Sequence, residues 1–363
     1  MEVAAFMVIF HLVRHQATVN LVLHKPAKSY LFLVKNLPPK RNFVKENMET
    51  GRRLRILGTM RVLLVDGHYY LYRSFFAIRE LTNSRGEPTN AIFGFAKALR
   101  KMLTDLQPDF AAVIWDCGLP ERRTTLQPEY KQNRTAMPDE MRPQETWLQT
   151  HVPLFGPASL FLENTEADDL IASYAREAER QGIEAVIATN DKDILQLATP
   201  GISIYSTAKA DLGAESFALL GPREVTDKWG VEPAQIGDVL ALTGDSSDNI
   251  AGVEGVGQKT AAKLIRAHGS ISALLAELDS VQPEKLRDKL RAATDKILAN
   301  REMVSLDENL PLPVPLKQLP VSPCYDELIP ALRNCEFRSL LRDVEAEASR
   351  PPASSQGDIF SNH

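Results

Sequence analysis

RVLLVDG at residues 61–67, FAAVIWD at residues 110–116 and EAVIATND at residues 184–191 decide the fold. Each is a short apolar run closed by aspartate, and helix-compatible sequence separates each from the next. A strand with one wet face alternates apolar and polar residues. These runs do not, so both faces are covered, which implies a parallel sheet between layers of helices. The intervening segments Tyr69–Arg79, Ala91–Leu106 and Glu166–Arg180 predict those helices. The last carries Leu170, Ile171, Tyr174, Ala175 and Ala178 on one stripe, with Gly182 as a stop. Residues Leu119–Gln144 hold Pro120, Pro128, Pro138 and Pro143 among basic and polar side chains, and predict a surface excursion without core-facing periodicity. After Pro222 the strands are expected to stop. Short helices around Thr226–Trp229, Pro233–Leu242, Lys259–Ala267 and Ser270–Leu278 predict a second, helical domain.

A length of 363 residues suits about two domains, and 44% hydrophobic with 25% charged residues is ordinary for a globular chain. No run approaches the ~18 apolar residues that cross a bilayer, so no membrane association is expected. Three cysteines at wide spacing exclude a disulfide framework or a cysteine zinc site and suit a reducing cytoplasm. Residues 1–60 carry ten Lys/Arg against three Glu, whereas the remainder has 32 basic and 44 acidic side chains. Glu2 precedes the first apolar run and Arg14 follows it, the reverse of a signal peptide. Residues 1–59 are therefore expected to be a basic extension or a mis-assigned start, with a transit peptide as the alternative. Residues 345–363 are expected to be a disordered tail, because Ser, Pro, Gly and Gln dominate from Ser349.

An acidic chain is a poor first guess for a nucleic-acid binder, unless its acids are gathered for a purpose. Asp66, Asp116 and Asp191 each end an apolar run, and the crevice at the carboxyl ends of parallel strands is the usual ligand site. Asp193 lies two residues past Asp191. Glu166, Asp168 and Asp169 open a helix, and Asp245 and Asp248 sit three residues apart in TGDSSDN at residues 243–249. Taken singly, each is more simply a turn, cap or first-turn acid. Together they are harder to dismiss, because two bare carboxylates 4 Å apart repel by about 1–4 kcal/mol. Hard cations with oxygen ligands are the remedy: two or more Mg²⁺, with Mn²⁺ as a substitute. Paired hard metals suit in-line displacement at phosphorus by a metal-activated water. The basic excursion, with Arg122, Arg123, Lys131 and Arg134 flanking Tyr130, would then draw in a phosphodiester instead of being a solvated loop.

GVEGVGQKT at residues 252–260 almost fits a nucleotide phosphate loop, but Gln258 separates the second glycine from the lysine, and no strand precedes it. A glycine turn opening a helix still offers backbone N–H groups to an anion, for which a nucleic-acid backbone is the simplest candidate. A purely structural helix–turn–helix is the plainer reading.

From Met60 to about Val344 the chain resembles the 5′→3′ exonuclease domain of bacterial DNA polymerase I, in the flap endonuclease family. The resemblance rests on VDGH at 65–68, Trp115-Asp116, TEADD at 165–169, TNDKD at 189–193, TGDSSDN at 243–249, GVGQKT at 255–260 and CEFRSLL at 335–341, in that order. It implies a PIN/resolvase-like twisted, mostly parallel α/β sheet flanked by helices, over residues 60–225, with an arch at about 119–145. A helix–three-turn–helix DNA-binding domain would follow over 226–344. Carried over, Asp66, Asp116, Glu166, Asp168, Asp169, Asp191, Asp193, Asp245 and Asp248 become metal-binding acids. Lys131 and Arg123 would steady the scissile phosphate in the arch, with Arg134 beside them. Tyr72 and Arg73 would support the unpaired strand. Gly255, Gly257 and Lys259 would grip duplex phosphates, with K⁺ at that turn.

The resemblance departs at Ala251, where the family usually has proline, and no polymerase-sized segment follows Val344. The expectation is a stand-alone, monomeric, metal-dependent 5′→3′ exonuclease or flap endonuclease. It would act on 5′ flaps, nicked or 5′-ended duplex DNA in replication and repair, be cytoplasmic and nucleoid-associated, and work with a DNA polymerase or ligase in trans. The alternatives are a PIN-type ribonuclease, a non-catalytic DNA-binding protein and, weakened by Gln258, a phosphate-loop ATPase.

Overall fold

The computed structural model describes residues 59–208 and 217–349. Six strands form one sheet: β1 (Arg61–Asp66), β2 (Phe110–Ile114), β3 (Ala158–Leu160), β4 (Glu184–Ala188), β5 (Ile202–Ser206) and β6 (Ala218–Leu220). Their order is β3-β2-β1-β4-β5-β6, with every pairing parallel except the antiparallel β5–β6 edge. The three apolar runs thus become the adjacent central strands β2, β1 and β4. The chain winds outward to β3 on one side of β1 and to β5 on the other. Such a reversal leaves a crevice at the carboxyl ends of the strands, and here it opens beside Asp66.

Side chains along a strand point alternately to its two faces, and β1 divides accordingly. Val62 and Leu64 pack with Ala112, Ile114 and the apolar stripe of a helix at Ala167–Arg180, whereas Leu63 and Val65 pack with Val113, Trp115 and the opposite helical layer. That opposite layer holds α1 (Gly67–Ala77), α2 (Asn90–Leu106) and, after the short α3 (Glu121–Leu126), α4 (Arg142–His151). The helix at Ala167–Arg180 is α5. The helical module follows as α6 (Pro222–Trp229), α7 (Ile236–Thr243), α8 (Gln258–His268), α9 (Ile271–Ala276), α10 (Glu284–Ala292) and α11 (Thr294–Met303). It extends the α5-side core through Ile236, Leu240, Ile265 and Ile297.

Several expectations are corrected. The excursion at 119–144 is tied to the core: α3 interrupts it, and Arg123, Tyr130, Met141 and Gln144 are buried. Strands β3, β5 and β6 have no counterpart in the sequence pattern; β3 and β6 are three residues long and β5 alternates serine with apolar residues. The second domain does not run unbroken to 344. Helices α12 (Tyr325–Asn334) and α13 (Arg338–Ala348) return to the sheet, where Leu328, Leu332, Phe337, Leu340 and Val344 join the core beside Leu63 and Val65. The expected tail begins too early, since α13 runs through Ala348. Residues 1–58 and 350–363, with the extension and most of the tail, lie outside the described residues. No helix among the described residues is long and apolar enough to cross a membrane.

Candidate metal and nucleic-acid site

Asp66 ends β1 and caps α1, its Oδ1 accepting from the Tyr69 N–H at 2.9 Å and its Oδ2 from the Thr189 hydroxyl at 2.9 Å. Burial, and then the neighbouring Asp116, push its carboxyl up to about 6. Asp116 stands two residues beyond β2, and its Oδ1 accepts from the Ala167 N–H at 2.7 Å at the opening of α5. His68 braces the same residue. Its Nδ1 lies 3.1 Å from the Asp116 amide nitrogen and 3.3 Å from Oδ2, while Nε2 contacts Glu145 at 2.8 Å. With Nε2 carrying the proton toward Glu145, Nδ1 accepts the Asp116 N–H.

Asp191 follows β4 and accepts the Asp193 N–H at 2.8 Å. Asp168 lies in the first turn of α5, and Oδ1 of Asp168 and Oδ1 of Asp193 are buried with no hydrogen-bond partner. Burial first, and then the charge of Asp191, hold both carboxyls well above the ordinary aspartate range. Oxygens of Asp193, Asp245 and Asp248 all lie within 4.8 Å of one another. The loop bearing the last two is held by a close crossing of Gly244 and Gly252. A Cβ on Gly252 would meet the Thr243 oxygen at 2.2 Å, and one on Gly244 would meet the Gly252 nitrogen at 2.3 Å, so only glycine fits at either point. Orphaned buried oxygens and mutually raised carboxyls fit a set of oxygen donors for hard cations.

A cleft of about 900 Å³ opens over this cluster. Asp66, Asp116, Asp168, Asp191 and Asp245 form its floor, and Tyr72, Arg73, Lys131 and Arg134 stand on its walls. Lys131 pairs with Glu166 and lies 3.8 Å from Asp248; Arg134 reaches Asp248 at 2.7 Å. Burial works against the Lys131 ammonium, but Glu166 and Asp248 outweigh it and hold its pKa above the ordinary lysine value. Lys192, unassigned from sequence, pairs with Asp245 at 2.9 Å.

Several expected site residues sit elsewhere, and Glu166 has both carboxylate oxygens taken, Oε1 by Lys131 and the Tyr130 hydroxyl and Oε2 by Arg123. Arg123 does not line the cleft. Its guanidinium is 4% exposed, and all five N–H donors are engaged. Nη1 pairs with Glu166 and, at 2.6 Å, with Asp169; Nη2 reaches Asp169 at 2.9 Å and the Ser305 carbonyl at 2.8 Å; Nε donates to the Met303 carbonyl at 3.0 Å. Asp169 also accepts the Asp307 N–H at 2.9 Å. The Arg123–Asp169 pair thus fastens α3 and α5 to the chain leaving α11, and the Asp169 carboxylate is taken up by that clamp. The glycine turn stands apart from the cleft walls. Gly255, Gly257 and Lys259 are exposed while Val253 and Val256 anchor the turn, and Gly257 caps α8, whose first-turn N–H groups have no intrahelical partner.

Sequence reasoning misses His68, Glu145, Tyr130 and Lys192 as parts of the site. His68 lies within the quoted VDGH run. Glu145 and Tyr130 carry no local signal, because their partners are 77 and 36 residues distant.

Comparison with known proteins agrees with this geometry. Residues 61–230 match the model of the 5′-3′ exonuclease N-terminal resolvase-like domain, and residues 231–327 that of the 5′-3′ exonuclease C-terminal SAM fold. A thermostable DNA polymerase I of Thermus thermophilus is 38% identical over 283 residues, covering 78% of this chain and 33% of that protein. DNA polymerase I of Bacillus subtilis is 36% identical over 290 residues, covering 80% and 33%. The chain therefore spans about a third of the length of these relatives. Among solved structures, the T5 D15 protein co-crystallised with metal ions matches with TM-score 0.55 at 20% identity, over 80% of this chain and 100% of that one. The catalytic core of Rad2 in complex with DNA substrate matches with TM-score 0.54 at 15% identity, over 79% and 93%. These two share the fold. The two exonuclease models meet at residues 230 and 231 and between them take in the sheet, the acidic cleft and the helical module, so the chain belongs to the 5′-3′ exonuclease family.

Proposed function

We propose that this chain is a Mg²⁺-dependent, structure-specific 5′→3′ exonuclease and flap endonuclease that hydrolyses DNA phosphodiesters. The observation that carries the reading is the acidic floor under cationic walls. Carboxylates that repel one another line a cleft whose rim presents Arg73, Lys131 and Arg134. Asp66, Asp116, Asp168, Asp191, Asp193, Asp245 and Asp248 would hold the divalent cations. When bound, such cations supply Lewis-acid activation of water and neutralise charge on a phosphodiester undergoing in-line displacement. Mn²⁺ has the same oxygen-donor preference and would substitute.

The chain's own residues do the rest. His68 and the Ala167 N–H fix Asp116, while Thr189 and the Tyr69 N–H fix Asp66, so two carboxylates are oriented before substrate arrives. Glu166 anchors Lys131, which lines the cleft and would steady the phosphate there. Tyr72 offers a face for an unpaired base and Arg73 a charge for its phosphate. Gly255, Gly257 and Lys259, with the free N–H groups of α8, would grip duplex phosphates, with K⁺ at that turn. Partnership with a DNA polymerase or ligase, action as a monomer and a nucleoid setting are proposed with it.

The test uses purified protein with end-labelled 5′-flap, nicked and single-stranded DNA and with RNA, in Mg²⁺ and in EDTA. Cleavage of the flap and nicked substrates in Mg²⁺ alone is expected. Digestion of RNA but not DNA would replace this reading with a ribonuclease, and DNA binding without cleavage would replace it with a non-catalytic binder.

A further inference from the structure

We infer that Phe76 is a second stacking surface for an unpaired nucleobase, one step beyond Tyr72 on the strand that enters the cleft. The inference rests on the proposed nuclease function. Tyr69, Tyr72, Arg73 and Phe76 recur at i, i+3, i+4 and i+7 on α1, and all four line the cleft that the carboxylates floor. Asp66 caps the start of that helix, so the stripe runs outward from the carboxylate cluster. Four helical residues advance about 6 Å along the axis, and the Tyr72 and Phe76 ring centroids lie 6.3 Å apart with planes 35° from parallel.

Six large apolar side chains are exposed among the described residues, and Phe76, at 63%, is the most exposed of them. Phe75 packs edge-on against its ring at 5.3 Å, which steadies it while leaving it in solvent. A single ring is too small to be a protein-docking patch, which takes hundreds of Å². With Arg73 one turn before it on α1 and Arg134 lining the same cleft, it suits a flat, uncharged group carried on an anionic backbone. An unpaired base on a phosphodiester strand has that chemistry, and aromatic stacking accepts any base.

The experiment compares the parent, Phe76→Ala and Phe76→Trp on 5′-flap DNA in which each of the first three unpaired nucleotides is made abasic in turn. Stacking of this kind contributes about 5- to 150-fold in affinity. Phe76→Ala is expected to lower kcat/KM on the intact flap within that range and to lose nothing further when one particular nucleotide is abasic; Phe76→Trp is expected to restore the parent value. 2-Aminopurine at that nucleotide should be quenched on binding to the parent and not on binding to Phe76→Ala. Nicked duplex without an unpaired nucleotide should be cut equally by parent and Phe76→Ala. Equal cleavage of the intact flap by parent and Phe76→Ala, or an equal loss on intact and abasic flaps, would overturn the inference and leave the nuclease reading standing. A parent that cuts no DNA in Mg²⁺ would overturn both.

Discussion

Replacing Arg123 with alanine should unfold this protein more readily and leave its contacts with DNA intact. The guanidinium and its partners are nearly sealed from water, with Arg123, Glu166 and Asp169 side chains 3–4% exposed. Truncation leaves Asp169 with only the Asp307 N–H, while Glu166 keeps Lys131 and the Tyr130 hydroxyl. One buried carboxylate is thus stranded and another weakened. Breaking a buried pair from one side costs about 3–5 kcal/mol, to which the lost bonds to the Met303 and Ser305 carbonyls add. Arg123→Lys keeps a charge but not the fork, so it should recover only part of the loss. Arg123→Met combined with Asp169→Leu removes both charges and should be more stable than Arg123→Ala alone. Urea unfolding followed by circular dichroism, with flap binding measured under native conditions, reads both quantities. An Arg123→Ala protein with the parent's midpoint and a large loss of flap affinity would refute the clamp and return Arg123 to the phosphate.

Further outcomes follow from the same geometry. Lys131→Ala should lower turnover about 100- to 1,000-fold, the usual effect of removing a preorganised charge donor, with metal affinity little changed by calorimetry. Lys259→Ala should weaken duplex binding and reduce the salt slope by about one, leaving metal binding unaltered. The metal-free protein should lose stability as pH rises from about 4 to about 6. Asp66, raised to about 6 in the fold, there holds a proton that the unfolded chain has released, a contribution on the order of 3 kcal/mol. Added Mg²⁺ should restore that stability at pH 7 and bind progressively worse below pH 6, as thermal melts across pH would record.

What can be read from the sequence is what a short window contains. β1, β2 and β4 are legible because strands buried on both faces are unbroken apolar runs, and their closing aspartates point to one crevice. The other three strands escape because β3 and β6, at three residues each, have no period, and ISIYS in the interior strand β5 mixes serine with apolar residues. Residue type identifies the acids but not their allegiance. Asp168 and Asp169 are neighbours, yet the first turns an unpartnered oxygen toward the cluster and the second is held by Arg123, 46 residues earlier in the chain. The run ERRTTL reads as part of a basic surface excursion, and only the fold makes it a helix and brings the Met303 and Ser305 carbonyls to Arg123. The return of α12 and α13 to the sheet is hidden for the same reason, since an amphipathic helix declares that it has a core face and not which core it joins.

The most direct test of the central claim measures flap binding and flap cleavage side by side for the parent and for the Asp191→Asn, Asp193→Asn double variant. Asp193 belongs to the cluster with Asp245 and Asp248, and Asp191, which accepts its N–H, lines the cleft that Gly255, Gly257 and Lys259 do not. Cleavage in Mg²⁺ is expected to be abolished while flap DNA is bound at least as tightly, because two negative charges near the phosphates are gone. A double variant that still cuts DNA but no longer holds it would show that these carboxylates serve binding and not the chemistry.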